Sequence, residues 1–106
     1  GWYTSITIGS DNLPIISHYD FNNGDLKVAH CGTVDCSSGN TLTTVDQNGL
    51  TGSYTSISII NNLPVISYHM ETLGDLRLVY CGDVLCSSNN VFVPLDGNAG
   101  LYSSLA

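Results

Sequence analysis

With 106 residues, 42% of them hydrophobic and only 10% charged, the chain has material for one ordinary domain and too little charge for a disordered segment. Its net charge is −7, with Lys27 and Arg77 as the only strong cations, so it lacks the basic footprint of a nucleic-acid binder and is disfavoured at anionic membrane surfaces. No apolar run reaches the length of a membrane span, and neither an initiator Met nor a signal-peptide pattern is present, so the sequence reads as processed, engineered or an excerpt.

Helical periodicity is absent. Short alternating runs separated by Gly, Asn, Asp and Ser predict an all-β fold with four strands per unit. The first strand is Tyr3–Ile8, with Thr4, Ile6 and Ile8 on one face and Tyr3, Ser5 and Thr7 on the other. That small polar face suits a crowded inner strand. The second copy keeps the arrangement, Thr55, Ile57 and Ile59 against Tyr54, Ser56 and Ser58. After the turn at Ser10-Asp11-Asn12 comes Leu13–Asp20, in which the adjacent Ile15 and Ile16 point to opposite faces, as do Val65 and Ile66 later. A strand apolar on both sides is expected to be covered on both. The third strand, Asp25–Cys31, puts Leu26 and Val28 on one side and Ala29 and Cys31 on the other. Gly24 and Gly74 precede it and its second copy with the backbone freedom of a tight turn. The fourth strand runs over Thr41–Asp46, and in the second copy over Val91–Asp96. Pro94 interrupts that copy and places it at a sheet edge, because proline donates no ladder hydrogen bond.

The same text is written twice. "LPIISHYDFNNGDLKVAHCGTVDC" (Leu13 to Cys36) returns as "LPVISYHMETLGDLRLVYCGDVLC" (Leu63 to Cys86). Pro14 and Pro64, Gly24 and Gly74, Asp25 and Asp75, and Asp46 and Asp96 are each 50 positions apart. A third copy of the opening phrase closes the chain: "GWYTSIT", "GSYTSIS" and "GLYSSLA" share their pattern, with Tyr3, Tyr54 and Tyr102 recurring. The expected organisation is unit 1 over residues 1–51, unit 2 over 52–99, and the first strand of a third unit over 100–106. A period near 50 residues points to a solenoid, a propeller or an array. Four antiparallel strands in a meander, covered on both faces, fit propeller-like blades, open or closed by association. A solenoid or sandwich array is the alternative.

Four cysteines form two pairs of equal spacing, Cys31 with Cys36 and Cys81 with Cys86. Local disulfides are the expected pairing, since a short loop between strands brings its ends within reach; the rival is a zinc site of four cysteines. Disulfides imply an oxidising, extracellular or periplasmic setting.

The run "YTSITIGSDNLPIISHYD…NGDLKVAHC" resembles the tandem units, each about 50 residues, of large secreted bacterial proteins whose consensus reads GxYTSIAIGxDGLPVISYYD…GDLKVAHC. The resemblance covers nearly the whole chain. It implies secretion, tandem copies and propeller-like β-structure, and it carries no catalytic residues. The second copy departs from the pattern at Met70, Glu71 and Tyr80.

The chemically tempting residues have structural readings. His18 matches Tyr68, His69 matches Tyr19, and His30 matches Tyr80, so these slots accept either aromatic and suit packing or a surface hydrogen bond. Asp25 with Lys27, and Asp75 with Arg77, share a strand face at i and i+2 and are expected to pair at the turn. "DQNG" and "DGNAG" lack the alternating acids and closing Glu of a calcium loop. No G-x-S-x-G, H-E-x-x-H or P-loop occurs, and the recurrent Tyr fits packing between units. The expectation is therefore a non-enzymatic structural repeat module, without cofactor or metal, stacking on copies of itself or on adjoining repeats of a longer chain. The alternative is a multivalent, glycan-binding, lectin-like propeller; its weak point is that the loops differ between copies, "FNNGD" against "ETLGD".

Overall fold

The computed structural model of the chain describes residues 2–47, 51–70 and 75–97. Eight strands follow in chain order: β1 Trp2–Ile8, β2 Pro14–Asp20, β3 Asp25–His30, β4 Thr41–Asp46, β5 Thr51–Ile60, β6 Leu63–Met70, β7 Asp75–Tyr80 and β8 Val91–Gly97. They make two four-stranded antiparallel sheets, ordered β1-β2-β3-β4 and β5-β6-β7-β8. Among the described residues the architecture is two stacked sheets rather than a closed barrel or ring.

Strands adjacent in sequence are adjacent in space, the arrangement that short turns favour. The registers correspond at equivalent positions. Ile16 faces Ala29 and His18 faces Lys27 in the first sheet; Ile66 faces Val79 and Tyr68 faces Arg77 in the second. Irregularities fall at matching places, between Leu26 and Lys27 and between Asp75 and Arg77. Pro94 stands on β8, opposite Arg77, at the edge of its sheet, where its missing N–H breaks no ladder.

The one-residue difference between "IGSDNLP" and "IINNLP" has a local cause. β5 and β6 pair Ile60 with Leu63 around Asn61-Asn62, and both asparagines have positive φ, 52° and 69°. That is a two-residue type I′ hairpin, whose twist matches the flanking strands. Between β1 and β2 the turn is wider: Gly9 N–H donates to the Leu13 carbonyl at 2.9 Å, and the Asp11 carboxylate accepts from Leu13 N–H at 3.1 Å.

One core lies between the sheets. The first contributes Ile15, Leu26, Val28 and Val45; the second contributes Ile57, Ile66, Tyr68, Val79 and the Cys81–Cys86 bridge, with Ile59 at the margin. Both faces of β6 are buried, as two adjacent apolar residues require: Val65 and Ile66 are both inside. β2 differs, because Ile15 is buried and Ile16 only half-buried.

Candidate interaction surface

The contact between the sheets is unsymmetrical. The first sheet presents the face of Ser5, Ile15, Ser17, Leu26 and Val28; the second presents its opposite face, with Thr55, Ile57, Ile66, Tyr68 and Val79. Polar links stitch the two. The Ser17 hydroxyl donates to Thr55 Oγ1 at 2.9 Å, the Ile57 N–H donates to Ser5 Oγ at 3.3 Å, and Thr51 N–H donates to the Gly24 carbonyl at 3.0 Å. The small polar face expected at a crowded place is thus the face that lets β5 approach.

Tyr68 donates its hydroxyl to the Asp46 carboxylate at 2.7 Å, across the seam. Both residues are buried. Burial pushes the phenol well above its ordinary value, and the bond to Asp46 adds to this, while the nearby Arg77 acts against it. Asp46, the acid of the calcium-like "DQNG", therefore spends its carboxylate on a structural contact. No cluster of three or more His, Cys, Asp or Glu side chains forms a metal site among the described residues.

The outward face of the first sheet is unlike its counterpart. Ile6 and Ile8 are 61% and 55% exposed, whereas Ile57, which fills the same place as Ile6 in the repeated phrase, is 5% exposed. His18 is half-buried on this face, and its Nδ1 is buried with no hydrogen-bond partner. Burial pushes the imidazole below its ordinary value, with nearby positive charge, Lys27 included, adding to the effect.

The expected Asp25–Lys27 pair is corrected: Lys27 Nζ meets Asp20 Oδ2 at 3.1 Å, across the hairpin. Asp20 also accepts from Asn22 N–H and from the Asn23 amide. The turn therefore fixes this carboxylate, and the lysine goes to the acid already held. These bonds, Asn23 first and Lys27 next, hold Asp20 at about 2. Met70 stands where Asp20 would be in the second sheet, so Arg77 has no such acid on β6.

The other two histidines are buried and serve in hydrogen bonding and packing. His30 Nε2 and the Asp11 carboxylate lie 2.7 Å apart. Desolvation raises the Asp11 pKa, but His30 and the Leu13 N–H outweigh it and leave the carboxyl below its ordinary value. Tyr80 replaces His30 in the second copy, where the turn lacks the aspartate; the two changes go together. His69 is buried and packs against Tyr54, ring centroids 6.3 Å apart. Tyr54 has φ 51°, at an irregularity of β5, and sets its ring on its own sheet. Tyr3 and Asp75 are placed here only by their strands, β1 and β7. Gly74, Tyr102 and the phrase in 100–106 lie outside the described residues.

Both local disulfides are present, Cys31–Cys36 and Cys81–Cys86, with Cα atoms 4.8 and 4.7 Å apart. Pro14 and Pro64 anchor them: their carbonyls accept from Cys31 N–H and Cys81 N–H, each at 3.0 Å. Sequence reasoning missed Asn40 and Asn90. Asn40 accepts from Gly32 N–H at 3.2 Å and donates to the Cys36 carbonyl at 2.9 Å; Asn90 does the same with Gly82 and Cys86 at 3.1 and 3.0 Å. The available signal was that these asparagines, too, are 50 positions apart. The bridges fit an oxidising setting. No helix among the described residues is long and apolar enough to cross a membrane. Compared with protein-family models, curated proteins and solved structures, the chain matches none.

Proposed function

We propose that the chain is a non-enzymatic structural repeat module of a secreted or cell-surface protein. Its four-stranded units stack as propeller-like blades into an extracellular fibre or a multi-blade scaffold. The observation that carries this reading is the unsymmetrical contact between the sheets. Equivalent residues face opposite ways with respect to it: Ile57 is inside the seam and Ile6 is on the outer surface. A front-to-back contact of like units is heterologous, and such contacts propagate until they close into a ring or continue as a filament. Quasi-one-dimensional stacking of this kind derives stability from each neighbouring interface. Low charge and a disulfide within each unit support an extracellular scaffold, because each layer carries its own cross-link.

Light scattering after size exclusion, over a wide concentration range, together with electron microscopy, tests the proposal. Filaments or discrete rings are the expected result. A monomer at every concentration overturns it.

A further inference from the structure

We infer that the Cys31–Cys36 bridge is a thiol-exchange site of the folded chain: a small neutral or cationic thiol attacks Cys36, while the equivalent Cys81–Cys86 bridge stays closed. The loops "CGTVDC" and "CGDVLC" differ at two positions and otherwise share sequence and spacing. Their surroundings differ more. Alternation beyond the end of β7 carries Cys81 to the side of Val79, the face packed on the first sheet, and Cys81 and Cys86 belong to the core at 3% and 0% exposure. The same alternation beyond β3 carries Cys31 to the side of Ala29, which pairs with Ile16 and Leu42 on the outer face. No second sheet lies there among the described residues. Cys36 is accordingly half-buried where Cys86 is fully enclosed.

The loop tips follow the same division. Val34 and Asp35 are exposed, whereas Val84 and Leu85 are half-buried. The residue before the second cysteine is thus a solvated acid in one loop and an apolar group in the other. The Thr33 hydroxyl, donating at 2.7 Å, and the Ser37 N–H, donating at 3.1 Å, hold the Asp35 carboxyl below its ordinary value, so it is anionic beside Cys36 near neutrality. Access to the sulfur governs exchange, and a fixed carboxylate disfavours an approaching anion.

In the exchange the thiolate of the incoming molecule attacks Cys36 Sγ. A new S–S bond forms, the Cys31–Cys36 bond breaks, and its electron pair leaves on Cys31 Sγ, which takes a proton from water. The incoming sulfur is oxidised to a mixed disulfide and Cys31 is reduced. Cys31 is 2% exposed, so it is shielded from a second incoming thiol and stays placed to attack Cys36 and expel the adduct, which makes the modification reversible. The loop outlasts its bridge: Asn40 still links Gly32 to the Cys36 carbonyl, and the Pro14 carbonyl still accepts from Cys31 N–H.

The sequence makes the test clean. Trypsin cuts after Lys27 and Arg77, its only sites, and leaves the two bridges on separate peptides, 28–77 and 78–106. The full chain, below its association range, is treated with cysteamine, mercaptoethanol or glutathione at equal thiolate concentration, trapped with N-ethylmaleimide and digested. The expected product is an adduct on Cys36 with maleimide on Cys31, formed about tenfold or more faster than any opening of Cys81–Cys86, with the circular dichroism of the folded chain unchanged. Cysteamine is expected to react ahead of glutathione. Asp35→Asn, whose amide oxygen can still accept both bonds, is expected to narrow that gap by about two- to fivefold. Equal opening of the two bridges in the folded chain, a first adduct on Cys31 or in 78–106, or no adduct before unfolding overturns the site. Glutathione reacting as fast as cysteamine, or a gap unchanged in Asp35→Asn, overturns the charge selection.

Discussion

At the scale of single residues, two carboxylates carry distinct tasks. Asp46 is buried and receives the Tyr68 hydroxyl across the seam. Tyr68→Phe keeps the ring and its packing but removes a donor to an acidic acceptor. Bonds of that class contribute about 1.5–3 kcal/mol, and urea unfolding of the variant is expected to show a loss of that size with an unchanged slope. Asp20 is a surface group held by Asn23 and Lys27, and its effect appears in acid. Its ordinary value of 3.8 falls to about 2 in the folded chain, so the folded state binds this proton more weakly than the unfolded chain does. The stabilisation is complete above the ordinary value and is lost as pH falls through about 2. Asp20→Asn is expected to flatten the decline in melting temperature across that acid window and to leave the slope near neutrality unchanged. A wild-type profile already flat between those two values would remove this role from Asp20.

At the scale of elements, strands were legible and their side-chain partners less so. Alternation of residues located all four strands of the first sheet to within a residue at either end, because a period of two needs only local sequence. Pro94 identified an edge for an equally local reason. The partner of Lys27 was not legible, since it lies across a hairpin and is chosen by an Asx turn. Asn40 was missed because its partners, Gly32 and Cys36, are eight and four positions away and no periodicity links them. The disulfide loop also shows what hydrogen bonds add to a covalent link. Closing so short a loop stabilises by about 2 kcal/mol in the chain-entropy model, and Cys31→Ala/Cys36→Ala is expected to lose about that much in urea, with Asn40 still holding the loop ends. Gly32 is held to its size by the same packing. A Cβ there would lie 2.5 Å from the carbonyl oxygens of Ser38 and Gly39, which are backbone atoms with little room to yield. Gly32→Ala is expected to cost about 1–3 kcal/mol, the range for overpacking. Val34→Ala, on the exposed tip of the same loop, serves as the neutral control.

At the scale of the whole molecule, the sequence treats both sheets alike and the structure does not. Ile6 and Ile57 occupy one place in a shared phrase, but an alternating pattern records only that a face is apolar, not which neighbour covers it. Burial of Ile57 comes from the first sheet, and exposure of Ile6 from the lack of a sheet beyond it among the described residues. This difference gives a measurement that reads stacking directly. In dilute solution Ile57→Ala opens a gap in the seam and is expected to cost about 2–5 kcal/mol, as deletions of buried isoleucine do. Ile6→Ala is expected to stay within about 0.5 kcal/mol of wild type, as exposed substitutions do. Raising the protein concentration through the association range changes the comparison. Ile6 then enters a seam of the same kind, and the melting temperature of the wild type climbs with concentration because a partner that binds only the folded state stabilises it. Ile6→Ala is expected to lose that climb, so the two substitutions, unlike in the monomer, converge in the assembly. Equal and small costs at Ile6 across the full range would mean that the two faces, though built from one phrase, are not used in one way.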